Sequence, residues 1–228
     1  MLRGVCVVDP PVPSRLMFWA FVASTVGTFT GTALLARVLG IPPEHAFSTK
    51  GLWQVVGVEF VLGVLWPLLL RRHGWSLACV TTPLKAGDLL RGVGLVALCS
   101  IAYGLATFAW VKALPAARHP AHEILPCRIS WSAICAASIV NPMAEEFVYL
   151  GFVTNVLRHR GAFSAIAPAV AARMAVHVYQ GPLPVVGMAA LGTVLSVYYF
   201  RTRRLWPVVV AHGPLDFLAL TRMNAGVG

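Results

Sequence analysis

The sequence predicts an all-α integral membrane protein, a bundle of about seven transmembrane helices, and three observations carry that prediction. Only 11% of the 228 residues are charged while 58% are apolar, with a mean hydropathy of +0.76. A soluble domain carries about a quarter charged residues, so too little polar surface exists here to cover a globule in water. The apolar stretches match the roughly 20 residues that a helix needs to cross about 30 Å of hydrocarbon, far beyond the roughly 10-residue segments of a barrel strand. The basic residues fall in short clusters between those stretches: Arg71-Arg72, Arg158 with Arg160, and Arg201 with Arg203 and Arg204.

The length suits a single transmembrane domain, 1–228. Residues 1–15 read as a polar N-terminal tail, with Asp9 and three prolines ahead of a first span at 16–39 that stops at Gly40-Ile41-Pro42-Pro43. A cleaved signal would have a shorter apolar core and a small-residue cleavage site, so this span is expected to be retained. The second span, 52–70, closes on Arg71-Arg72-His73, and the third, 89–111, on Lys112 and Pro115. A polar stretch, 116–128, contains Arg118, His119, His122 and Glu123, which read as a solvated loop. The fourth span, 129–157, exceeds one crossing and is expected to break at Asn141-Pro142. The fifth, 162–179, is bounded by Gly181-Pro182-Leu183-Pro184, and the sixth, 185–200, by the Arg201–Arg204 cluster. The seventh runs from 207 to 220, with Pro207 in its first turn.

Alternate loops set the orientation. With the N-terminus inside, the cytoplasmic face carries Arg3, Arg15, Arg71, Arg72, Lys85, Arg91, Arg158, Arg160, Arg201, Arg203 and Arg204. The other face carries Arg37, Lys50, Lys112, Arg118, Arg128 and Arg222, so an N-terminus in the cytoplasm is expected. In a bacterium the host membrane would be the plasma membrane. A net charge of +10 distributed in this way marks topology, whereas a nucleic-acid reader would gather its bases on one polar element; no nucleic-acid partner is expected. The five cysteines (Cys6, Cys79, Cys99, Cys127 and Cys135) form no CxxC pair and are expected to be buried thiols. Most of the seven tryptophans, Trp75 among them, lie near span ends, as an interfacial belt would.

The informative residues are polar groups inside the apolar spans. Glu145 and Glu146 lie in the fourth, Arg173 and His177 in the fifth, and His212 with Asp216 in the seventh. An ionised group at mid-bilayer costs about 2.5–3.5 kcal/mol on insertion scales. Such groups must pair, neutralise or line a wet cavity. His212 and Asp216 share a helix face at four-residue spacing, as do Arg173 and His177. The adjacent glutamates point about 100° apart, so they divide labour. Glu59, alone in the second span without a motif, reads as a paired or neutral glutamate.

At these residues the chain resembles a known family. Pro142-Met143-Ala144-Glu145-Glu146-Phe147-Val148-Tyr149-Leu150-Gly151 is similar to the Pro-x-x-Glu-Glu-x-x-Phe-Arg-Gly signature of the CAAX protease and bacteriocin-processing family. The family's Phe-x-x-x-His is similar to Arg173 through His177, and its His-x-x-x-Asn/Asp to His212 through Asp216. The motifs keep the family's order within 129–220, and the first three spans carry no resemblance. Two positions depart from the pattern: Leu150 stands where the family has arginine, and Arg173 where it has phenylalanine. The family arginine would neutralise Glu146 from the same helix; Arg173 is expected to supply that cation from the neighbouring one.

What the resemblance implies is an intramembrane endopeptidase acting near the C-terminus or leader of a membrane-associated protein or peptide, lipidated or membrane-anchored. Glu145 would be the general base on water, a competent role near neutrality for a carboxylate withdrawn from solvent. His177 would orient that water and His212 would donate to the oxyanion. Asp216 would hold His212 or carry a proton itself. Glu146 and Arg173 would be structural. Glu, His and Asp are also zinc ligands, but no HExxH pair occurs, so a metal-free site is expected. The same carboxylates would also suit a proton- or cation-coupled transporter or a non-catalytic protein of the bacteriocin-immunity type.

Overall fold

A computed structural model describes residues 11–42, 45–114 and 128–225. The tail through residue 10, with Cys6 and Asp9, and the loop residues Arg118, His119, His122, Glu123 and Cys127 lie outside the described residues. All regular structure among the described residues is helical, as expected of a membrane bundle.

Helix α1 spans Arg15–Val38. Ser14 opens it, its Oγ accepting from the Met17 amide at 3.2 Å. A wider π turn runs through Ala23–Gly27, where the Ser24 and Thr25 hydroxyls donate to the carbonyls of Ala20 and Phe21, each at 2.7 Å. Hydroxyls bonded back to the preceding turn loosen a helix in this way. Helix α2, Thr49–Arg71, starts at the Ser48 cap, and a short α3 covers Leu77–Val80. Helix α4 runs over Ala86–Ala113.

The long rod α5 covers 131–157. It is α-helical over Trp131–Glu146, π-helical over Phe147–Thr154, and α-helical again over Asn155–Leu157. Helix α6 is Ala162–Val176, α7 is Pro182–Thr202, and α8 is Leu205–Ala225. Gly161 and Gly181 precede α6 and α7 with φ of 93° and 95°, a backbone region that glycine enters without steric cost.

Three expectations are corrected. The fourth span does not break at Asn141-Pro142; the helix continues through both, and the irregularity is the π segment that begins at Phe147. Cys79 and Cys99 are buried free thiols, but Cys135 is exposed, on the outer side of α5. Trp75 is not a belt residue: it is buried against Phe152, with its ring N–H donating to the Pro11 carbonyl at 3.1 Å.

Helix α4 packs on α7 and α8, α5 on α2 and α8, and α6 on α7 and the second half of α1. An aromatic group holds α1, α2 and α5 together. Phe21 stacks on Phe152 with ring centroids 3.8 Å apart and meets Trp66 edge-on at 4.8 Å. On the cytoplasmic side of the predicted topology, buried Asp88 at the start of α4 accepts from Arg204 Nε at 2.6 Å and also from its Nη2. That fork ties α4 to the α7–α8 turn. The outward faces expose Phe60, Val61, Leu90, Val93, Phe108 and Phe163, a surface suited to lipid. Four helices, α1, α2, α4 and α7, are long and apolar enough to cross a membrane by length and composition. The motif-bearing α5, α6 and α8 fall outside that group because segmentation, shortness or polar load lowers their apolar runs.

Candidate active site

Three helices bring the polar residues together. On α5 the last α turn presents Glu145 and Glu146 in different directions, as consecutive residues on a helix must. Glu145 reaches a cavity, while Glu146 is fully buried behind it. Helix α6 delivers Arg173 one turn before it ends, and His177 is its C-cap with φ −103°. A single 3₁₀ turn, Val178–Gln180, then leads to Gly181. The break in the backbone beside the site is thus at His177. Helix α8 supplies His212 and Asp216, and Gly213 lets it approach α5 closely: a Cβ there would stand 2.9 Å from the Ser138 carbonyl.

Arg173 is the largest fully buried side chain, 1% exposed. Its Nη2 donates to Glu146 Oε1 at 2.7 Å and its Nη1 to Glu145 Oε2 at 3.3 Å. Its guanidinium also lies over the Tyr149 ring, 4.8 Å from the centroid. The cation opposite Glu146 therefore comes from the neighbouring helix. Leu150, at the departing position of the first motif, is fully buried in the apolar core. Gly192 on α7 leaves room for the arginine stem, because a Cβ there would lie 3.0 Å from Arg173 Cδ.

His212 is held between two carboxylates. Its Nδ1 is 2.6 Å from Glu146 Oε1 and its Nε2 is 3.2 Å from Asp216 Oδ1. With both ring nitrogens engaged and the side chain outside the cavity wall, it has no donor to aim at a substrate. His212, expected to donate to an oxyanion, stands between Glu146 and Asp216. Asp216 accepts a second bond, from Asn141 Nδ2 at 2.8 Å. The Nδ1 of His177 lies 2.8 Å from the Arg173 carbonyl. A carbonyl only accepts, so Nδ1 carries the hydrogen and Nε2 is left as the second functional nitrogen.

Glu145, His177 and Asp216 line one cavity of about 710 Å³. The same lining includes Asn141, Tyr179 and Glu59, and α1 and α2 add mostly apolar side chains such as Phe21, Val55 and Trp66. Sequence reading missed Asn141 and Tyr179, since one neutral polar side chain in an apolar run carries no pattern. Of the two expectations for Glu59, paired or neutral, the paired one does not hold: it makes no hydrogen bond or ion pair among the described residues, and its Oε2 is enclosed without a partner. Among the described residues no three His, Cys, Asp or Glu side chains gather so as to hold a metal ion. His212 is already taken between two carboxylates, and Arg173 fills the space between Glu145 and Glu146.

The family model described as Type II CAAX prenyl endopeptidase Rce1-like matches residues 128–218. No curated protein and no solved structure matches the chain. The matched region contains α5, α6, α7 and the part of α8 up to Leu218, and excludes α1 to α4. Over residues 128–218, less than half of its length, the chain is thus similar to the Rce1-like type II CAAX prenyl endopeptidases, in line with the resemblance read from the three motifs.

Proposed function

We propose that the chain is an intramembrane endopeptidase in which Glu145 activates water for attack on a peptide bond of a membrane-associated protein or peptide. The observation that carries this reading is the convergence of Glu145, His177 and Asp216, from three helices, on one cavity. The cavity has space for water and an extended peptide, and the matched family is one of membrane proteases.

Glu145 takes a proton from water as the oxygen attacks the carbonyl carbon. Its carboxylate is turned to the cavity while Arg173 steadies one oxygen from behind. His177, fixed through Nδ1, uses Nε2 to align the water and to pass the proton from Glu145 to the leaving amine. The C–N bond then breaks, and the products are an acid and an amine. Asn141 is the oxyanion donor, since one of its amide hydrogens goes to Asp216 and the other is free to face the cavity. Asp216 orients Asn141, and His212 orients Asp216. Such donors are worth about 3–4 kcal/mol where they have been removed in other hydrolases. The N-terminus belongs on the cytoplasmic side in this reading, on the distribution of Lys and Arg.

Glu145→Gln tests the base directly, because it keeps the shape and cannot take up the proton. With the purified chain in detergent and a membrane-anchored peptide substrate, turnover is expected to fall by about 100-fold or more. Cleavage at the parent rate would sink the assignment. Asn141→Ala is expected to lower kcat while leaving KM nearly unchanged, the signature of an interaction made only in the transition state.

A further inference from the structure

Glu59 stands outside the matched region and outside the chemistry described so far. It lies midway along α2, is 5% exposed, and faces the same cavity as Glu145 and Asp216. It interrupts an otherwise apolar stripe of that helix, formed by Leu52, Val55, Leu62 and Trp66 at three- and four-residue spacing. No hydrogen bond or ion pair satisfies it among the described residues. Buried polar groups in folded proteins nearly always have partners, and an unpartnered carboxyl group in a cavity wall points to a ligand that completes it.

The charge count gives the ligand's sign. Glu59, Glu145, Glu146 and Asp216 place four carboxyl groups in and around the cavity, against Arg173 and the imidazoles of His177 and His212. Arg173 is committed to Glu145 and Glu146, and His212 to Glu146 and Asp216. Among the described residues, no lysine or arginine lines the cavity. Among the described residues, Glu59 is the cavity-lining carboxyl group without a hydrogen-bond or ion-pair partner, and a cation complements it best.

Resting on the endopeptidase reading, we propose that Glu59 docks a basic side chain of the substrate, so that the cavity takes an apolar peptide segment carrying a lysine or arginine near the scissile bond. The apolar stripe of α2 packs the flanking residues, and Glu59 receives the cation where water is scarce. A charge-assisted hydrogen bond in such surroundings is the strong kind. It sets the position of the segment along the cavity as well as its affinity.

The experiment uses the full chain in detergent and a set of apolar peptides that differ only in lysine, norleucine or glutamate at each position around the central bond. Binding is measured by fluorescence on the Glu145→Gln chain, which separates docking from cleavage, and kcat/KM is measured on the parent. At one peptide position, lysine is expected to bind at least about tenfold tighter than norleucine. Glu59→Gln should bring that ratio towards one, mainly through KM on the active chain, and Glu59→Asp should keep part of it. Equal binding of lysine and norleucine peptides at every position overturns the proposal. So does a lysine preference that survives Glu59→Gln in a chain whose thermal unfolding matches the parent. If the binding preference appears and no peptide is cleaved, the endopeptidase reading fails while the docking role of Glu59 stands.

Discussion

Arg173 carries more of the site than any other residue. Its guanidinium bonds both motif glutamates and rests on Tyr149, and the arginine itself is almost wholly buried. Removing one partner from a buried ion pair strands the other, at about 3–5 kcal/mol. Arg173→Phe, which restores the residue type of the family's second motif, should therefore lower the thermal unfolding temperature sharply in detergent. Adding Leu150→Arg should return much of that loss, because an arginine four residues after Glu146 reaches the same carboxylate. A double variant no more stable than Arg173→Phe alone would count against the exchange. At this scale the acids, imidazoles and Arg173 were legible in the sequence, since ionisable groups are rare and expensive in apolar spans. Asn141 and Tyr179 were not, because neutral polar side chains carry no such penalty signal. The position of His212 was not legible either. Its neighbours come from α5 as well as α8, and the spacing along one helix says nothing of the other.

Helix by helix, the approach of α8 to α5 decides whether the cavity closes. Gly213 sits where a Cβ would press on the Ser138 carbonyl, a backbone atom that cannot move without shifting α5. Gly192 sits where a Cβ would press on the flexible stem of Arg173. Gly213→Ala is expected to destabilise by about 1–3 kcal/mol, as overpacking does. Gly192→Ala should cost less, because the stem can give way and alanine favours a helix by up to about 1 kcal/mol over glycine. Thermal unfolding of the two variants side by side checks the order; the reverse order would show that α5 and α8 are not packed as closely as described. Element number and type were readable here from apolar length, and the observed ends differ from the expected ones by a few residues. The π segment at Phe147–Thr154 was not readable, and the proline at 142 was a misleading cue. A helix accepts an interior proline when its neighbours support the backbone, and here α2 and α8 flank that turn of α5.

For the molecule as a whole, residues 128–218 cannot form the cavity alone. Part of its wall comes from α1 and α2, and the Asp88–Arg204 fork joins α4 to the helices of the site. The predicted topology can be checked with a membrane-impermeant thiol reagent. Arg201→Cys should be labelled from the cytoplasmic face only, and Ile41→Cys from the opposite face only. Labelling of both from one side would reverse the orientation drawn from the basic clusters.

The sequence by itself determined that this chain is a helical membrane protein, roughly where its helices lie, and which acids and imidazoles stand inside its apolar helices. Those properties follow from local quantities: apolar length, residue spacing, and the cost of an ionisable group in hydrocarbon. Only the tertiary structure decided that His212 is consumed between two carboxylates, that Asn141 faces the cavity, and that Glu59 joins it unpaired. Each of those depends on which atoms of different helices come within hydrogen-bond reach, and that distance is set by packing among rods far apart in the chain.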